Sequence, residues 1–192
     1  MTTRKSPKPS VHRFGEDLRE LFSKNRMVVF LCGPSLSSGR PGAKLRDQLK
    51  ERLETNGFEV VLGEDDGLEK LRKEFSGVYA HENELAFIKK ECGAIVLIAD
   101  SVGSYCELGL FAHEQSHEDT NRRDFILIVD REFKGKPSYL NEGPAKAIDH
   151  FGVVFYEDLT AFDCSKILER LQGRRAVYFL DGRGRPAKRP TS

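Results

Sequence analysis

Apolar residues along this chain fall into five short runs, with longer stretches of helical spacing between them. The runs are 27–32 (MVVFLC), 58–62 (FEVVL), 93–99 (GAIVLIA), 125–129 (FILIV) and 153–156 (VVFY). Each is brief, and most are rich in β-branched residues, so each predicts a buried strand. Between the first two, Leu45, Leu49 and Leu53 step by four and Asn56-Gly57 follows as a helix stop. Leu85 and Ile88 predict a helix over 82–91, and Leu108, Leu110, Phe111 and Ala112 predict one over 105–116. Gly143-Pro144 opens a short helix to His150, with Pro144 suited to the first turn. A final helix is expected over 159–171, then a last strand or extended arm over 176–180. Ahead of all this, Val11, Phe14, Leu18, Leu21 and Phe22 recur at helical spacing and predict a leading helix over 11–24. Residues 63–80 are charged and irregular.

Continuous apolar strands alternating with helices signal a parallel sheet covered on both faces. The expected fold is α/β, a doubly wound five-stranded parallel sheet of order 2-1-3-4-5, in one domain over 11–180. Residues 1–10 and 181–192 are rich in Arg, Lys and Pro and too poor in apolar surface to offset the entropy of ordering. They are expected to be disordered basic tails.

In such a sheet ligands sit beyond the carboxyl ends of the strands, where the strand order reverses. Here that lies between strands one and three, whose loops are 33–42 (GPSLSSGRPG) and 100–105 (DSVGSY). Glycines in the first loop let backbone approach a ligand, serines add hydroxyls, and Arg40 suits a phosphate. It is neither a phosphate-binding P-loop nor a G-x-G-x-x-G, and a flexible connection is the plainer alternative. The second loop leads to Glu107, expected in the first turn of its helix, where the dipole would keep the carboxylate ionised. Such a carboxylate can attack or stabilise an oxocarbenium-like sugar carbon; an ordinary first-turn acid is the alternative. Ser101, Gly103 and Ser104 would admit substrate and bind ribose or phosphate, or form a simple turn. Asp100 would hold a ribose hydroxyl or move a proton, or merely cap the loop. Glu64, Asp65 and Asp66 follow strand two on the same edge, as a second carboxylate or an exposed acidic turn.

Composition narrows the classes. The chain has 192 residues, 39% of them hydrophobic, which excludes a wholly disordered protein. The longest apolar stretch, 93–99, is too short to span a membrane, and residues 1–26 hold no apolar signal core. Cys32, Cys92, Cys106 and Cys164 lie far apart, against a zinc ribbon or disulfide framework and in keeping with a cytoplasmic protein. The net charge of +1 hides an asymmetry. Residues 1–9 and 181–192 carry +3 each, leaving −5 on 10–180. An acidic body suits a small nucleotide better than a long nucleic acid, which would have to be held by the tails.

Two further patterns carry chemistry in principle. His113-Glu114-Gln115-Ser116-His117 spells H-E-x-x-H, but no third ligand follows in frame, and exposed histidines at a helix end are the alternative. Cys106 beside Glu107 is either a nucleophile or a small buried hydrophobe.

At these residues the sequence resembles a known family. FLCGP at 30–34 and S-x-G-x-x-x-E-x-G at 101–109 resemble the nucleoside deoxyribosyltransferase superfamily. VFLCG at 29–33, SVGSYCELGLF at 101–111 and EFKGKPSYLNEGPAKAI at 132–148 resemble more closely the N-terminal domain of retron-associated effectors of bacterial anti-phage systems. The resemblance covers about residues 27–156 and implies a flavodoxin-like, nucleoside deoxyribosyltransferase-like fold. It also implies that Glu107 is the catalytic glutamate and that Gly33 and Pro34 lie in a sugar- and base-facing loop, with Ser35 beside them. Ser101, Gly103 and Ser104 would lie in a second such loop. Lys134, Tyr139 and Asn141 fall in an effector-specific loop, expected to touch substrate or a second subunit. The transferases carry Asp where Ser101 stands, so hydrolysis becomes the more natural expectation than deoxyribosyl transfer.

The expected activity is therefore cleavage of the N-glycosidic bond of a nucleotide, deoxynucleotide or NAD-like dinucleotide by a toxin-type defence effector. Glu107 would be the nucleophile or oxocarbenium stabiliser, with Asp100 assisting. Gly33, Pro34, Ser35, Ser101, Gly103, Ser104 and Asn141 would bind substrate. The chemistry requires no metal or organic cofactor. A homo-oligomer and a retron or other defence-system partner are the expected associations, with no membrane. A non-catalytic nucleotide-sensing module is the alternative from another class.

Overall fold

The computed structural model describes residues 25–64, 79–117, 123–180 and 185–186. The leading helix expected over 11–24, most of 63–80 and most of the two tails lie outside the described residues.

All five apolar runs form strands: β1 (Val28–Cys32), β2 (Glu59–Val61), β3 (Ala94–Ala99), β4 (Asp124–Asp130) and β5 (Val153–Glu157). They pair in parallel in the order β2-β1-β3-β4-β5, the expected doubly wound arrangement. The helices are α1 (Pro41–Thr55), α2 (Ala80–Glu91), α3 (Val102–His117), α4 (Tyr139–Glu142), α5 (Pro144–Phe151) and α6 (Ser165–Leu180). Asn25–Arg26 and Arg185–Pro186 form a two-residue antiparallel pairing of their own, the second partner lying in the stretch expected to be a tail.

The three central strands are buried on both faces because their alternate residues feed two cores. Val29, Leu31, Val96, Ile98, Ile126 and Ile128 pack with Leu45, Leu49 and Leu53 of α1 and Ile167 and Leu171 of α6. Phe30, Ile95, Leu97, Phe125 and Leu127 pack on the opposite face, with Phe87 of α2, Leu108 and Phe111 of α3 and Ile148 of α5. At roughly 1.5–3 kcal/mol per fully buried apolar side chain, these layers dominate the stability.

Three boundaries differ from expectation, each for a local reason. Helix α3 begins at Val102 rather than 105, because Ser101 Oγ accepts from Ser104 N at 3.2 Å and caps the earlier start. Helix α6 begins at Ser165 rather than 159, where Asp163 Oδ1 accepts from Ser165 N at 3.0 Å. Residues 176–180 continue that helix instead of forming a strand or arm. Arg175 holds it there by stacking over the Phe58 ring at 4.5 Å and donating to Asn56 O at 3.1 Å. Helix α4 was not foreseen; Ser138 Oγ caps it by accepting from Asn141 N at 3.3 Å.

Candidate active site

The carboxyl ends of β1 and β3 bring together the two loops expected to matter. Their first residues are glycine and aspartate for packing reasons. A Cβ on Gly33 would lie 3.3 Å from Arg46 Cδ, Ile98 Cβ and Ile98 O alike. Gly42, near the start of α1, is tighter still: a Cβ there would fall 2.7 Å from Asp100 Cβ. That close approach lets Asp100 Oδ2 accept from Gly42 N at 2.8 Å, so the end of β3 caps the first turn of α1. Arg40 donates to Asp100 O at 2.9 Å and sits 3.6 Å from Oδ1. The capping alternative is thus the one the geometry shows for Asp100, and Arg40 already has a partner.

Ser104 is buried, and its hydroxyl accepts from the amides of Asp100 and Ser101 at 3.0 and 2.8 Å. Its hydroxyl and that of Ser101 lie 3.0 Å apart. The two serines tie the turn to itself. Gly103 and Ser35 are exposed, Pro34 is buried, and a Cβ on Gly103 would meet only Ser101 Oγ, at 4.0 Å. Asn141 sits in α4, from where its Nδ2 donates back to Phe133 O and Lys136 O of the preceding loop, both at 2.7 Å. Its Oδ1 accepts from Tyr156 Oη at 2.7 Å, so this side chain staples the loop. Tyr139 in α4 is 87% exposed.

Glu107 differs from all of these. It lies in the second turn of α3, since the helix starts at Val102, and the expectation of a first-turn acid held ionised by the dipole fails. Its Oε2 is buried and has no hydrogen-bond partner among the described residues. Burial, then the negative charges of Glu84 and Glu64 acting against Arg46, raise its pKa from 4.5 to about 7. Burial, followed by the charges of Glu107 and Glu84, pushes the Cys32 thiol at the end of β1 well up, so it stays protonated. A half-protonated carboxylate at neutral pH is suited to both bond-making and proton transfer.

Two residues around Glu107 escaped the sequence reading. Arg46 of α1 is buried, and Glu84 of α2 is the carboxylate with the largest charge effect on Glu107. The pattern did hold a signal for both. Arg46 falls in the buried stripe of Gly42, Leu45, Leu49 and Leu53, and Glu84 stands three and four residues before buried Phe87 and Ile88. Charge on an apolar stripe asks for a partner. Glu64 is that partner for Arg46, with oxygens 2.6 and 2.7 Å from its terminal nitrogens. Burial pulls the Glu64 carboxyl up, but Arg46 wins and holds it below the usual range. Asp65 and Asp66 lie outside the described residues.

The remaining candidates resolve simply. His113 and His117 are exposed, Glu114 pairs with Lys89, and no group of three metal-ligating side chains occurs among the described residues. Cys106 is exposed, while Cys32, Cys92 and Cys164 are buried. No helix of the described residues is long and apolar enough to cross a membrane.

Fold and site together define a doubly wound α/β protein with a half-buried carboxylate, one oxygen of it buried and unpartnered, at the point where its strand order reverses. The chain belongs to the STM3845 retron effector protein family, whose sequence model matches residues 42–178. It is 31% identical over 129 residues to the retron Ec86 putative ribosyltransferase/DNA-binding protein of Escherichia coli, covering 66% of this chain and 38% of that one. Its likeness to the retron Ec73 putative ribosyltransferase/DNA-binding protein of Escherichia coli is 29% over 130 residues, 64% of this chain and 38% of that one. The matched region thus spans well under half the length of these relatives. The resemblance to retron-associated effectors holds.

Proposed function

We propose that this domain cleaves the N-glycosidic bond of a nucleotide, deoxynucleotide or NAD-like dinucleotide, and that it does so as a toxin-type effector in bacterial anti-phage defence. The observation that supports this most is the buried Oε2 of Glu107, a carboxylate oxygen with no partner of its own. An unanswered buried acceptor costs about 1–3 kcal/mol or more, and such a cost is retained where a ligand answers it. The retron effector family and the putative ribosyltransferases among its relatives support glycosyl chemistry in defence.

In the proposed step ionised Glu107 attacks the anomeric carbon, and the bond from that carbon to the base nitrogen breaks. The electron pair leaves with the base, which takes up a proton. Glu84, whose charge acts on Glu107, is the carboxylate proposed to carry that proton. Water then displaces Glu107 from the sugar and gives up a proton to the carboxylate that protonated the base, in the manner of a retaining glycosidase. Gly33, Pro34, Ser35 and Gly103 would bound the substrate, while Asp100, Ser101, Ser104 and Asn141 would keep the loops around it in shape. No metal or organic cofactor enters this scheme. A homo-oligomer and a retron or other defence-system partner belong to the same proposal.

The test is to incubate the protein with NAD and a panel of nucleosides, deoxynucleosides and their phosphates, and to assay free base by chromatography. Base release that falls at least ~10³-fold in Glu107→Gln is the expected result. Ligand binding without base release at high protein concentration and long times would overturn it in favour of a sensing module.

A further inference from the structure

Arg46 is 2% exposed, and its planar fork has five N–H donors. All five are used. Nε and one terminal nitrogen donate to Leu31 O at 3.2 and 2.9 Å, at the penultimate residue of β1. The other terminal nitrogen donates to Pro34 O at 3.2 Å. The two remaining donors grip the Glu64 carboxylate from both sides, at 2.6 and 2.7 Å. One side chain therefore ties the strand end, the first loop and the loop after β2 into a single unit. Its stem also backs Gly33, where an added Cβ would meet Arg46 Cδ at 3.3 Å.

The groups facing Glu107 come from several elements: Arg46 from α1, Glu64 from the loop after β2, Glu84 from α2 and the Cys32 thiol from β1. Helix α5 also packs on α3, but its ionisable residues Lys146, Asp149 and His150 are exposed. Arg46 is the cation in that set, and Glu64 neutralises it.

We propose that the Arg46–Glu64 pair is a positioning element for the reacting carboxylate: it fixes the Gly33–Pro34 backbone at the switch point and tunes the charge that Glu107 carries. Lysine cannot replace this arginine, because a point charge cannot span two backbone carbonyls and a bidentate carboxylate. Glutamine cannot replace the glutamate, because it leaves the buried guanidinium uncompensated. The inference rests on Glu107 as the reacting group; the NMR arm of its test does not depend on turnover, whereas the KM arm does.

The experiment follows the Glu107 carboxyl by ¹³C NMR across pH in the full chain, with the resonance assigned through Glu107→Gln. It then repeats the titration in Glu64→Gln and Arg46→Lys. Glu64→Gln removes a negative charge and frees the Arg46 charge, so the Glu107 midpoint moves below the native value of about 7. The pH limb of base release moves the same way. Arg46→Lys keeps the charge but loses the fork, so the midpoint stays near about 7 while KM rises roughly 10-fold through the loosened loop. A Glu107 midpoint that does not move in folded Glu64→Gln overturns the inference, as does an unchanged KM in Arg46→Lys. The two variants are read independently, so one that fails to fold leaves the other to decide. Movement of the midpoint without base release in any form upholds the pair and sinks the hydrolase reading; base release with a fixed midpoint does the reverse.

Discussion

At the amino end of the sheet the buried charge is Asp124; at the carboxyl end it is Arg46. Each has a two-pronged partner. Arg170 donates to both oxygens of Asp124, at 2.9 and 2.6 Å, with Arg174 3.4 Å away, and Glu64 does the reciprocal service for Arg46. The pairs look alike but have different surroundings. Asp124 fastens α6 to the start of β4. Arg46 sits among further carboxylates, one of which keeps a buried oxygen unanswered. A buried ion pair is therefore an ambiguous sign by itself. What separates a fastening from a working site is a polar group nearby whose needs the fold leaves unmet.

The sharpest way to break that contrast is Asp124→Ala, which strands Arg170 and should cost about 3–5 kcal/mol in urea-induced unfolding. Base release measured well below the transition should be unchanged. A loss of activity out of proportion to unfolding would mean that the amino end is not merely a fastening.

The next effect is pH-dependent and belongs to the carboxyl end. Below about pH 4.5 Glu107 is protonated in both folded and unfolded chains. Between 4.5 and about 7 the folded protein keeps a proton that the unfolded chain has lost, so this group's contribution to stability falls as pH rises and levels off above about 7. That shift is worth at most roughly 3 kcal/mol. Thermal unfolding across pH should show the slope in the native protein, and Glu107→Gln should remove it and raise Tm at pH 8. Equal slopes in both proteins would place the titration elsewhere.

Gly42→Ala comes third. Its Cβ would press on Asp100 at 2.7 Å and push the carboxylate off the α1 amide. The expected cost is about 1–3 kcal/mol by denaturant titration. Unlike Asp124→Ala, it should lower base release as well, because the displaced loop bounds the site. The smallest effect is expected of Tyr156→Phe, which leaves Asn141 Oδ1 without its donor and should cost about 1 kcal/mol in Tm-derived stability. A much larger loss would mean that the loop after β4 supports more than itself.

The sheet was legible because its strands are apolar runs such as GAIVLIA and FILIV, rich in β-branched residues and too short for buried helices. Sheet order and switch point then followed from how such folds wind. Glu107 was legible as a candidate, but its setting was not. Ser101 and Ser104 cap each other's turn and start α3 early, and the pattern S-x-x-S at 101–104 held that information. Arg46 and Glu84 were passed over because a charged residue on an apolar stripe reads as noise until its partner is known, and Glu64 lies on another element. The segment 176–180 looked strand-like by composition. It is helical because the stacking of Arg175 on Phe58 decides it from outside the segment.

The cap of Asp100 on Gly42 joins residues 58 positions apart. Helix α1 cannot complete its first turn from its own neighbourhood, and must wait until β3 has been made and laid beside β1. Closing so long a loop costs more entropy than closing a helical turn, so this cap is expected to form after the local bonds of α1. The Gly42 amide is therefore a clock as well as a contact. In pulse-labelled refolding it should gain protection from exchange together with the amides of β3, later than those in the middle of its own helix.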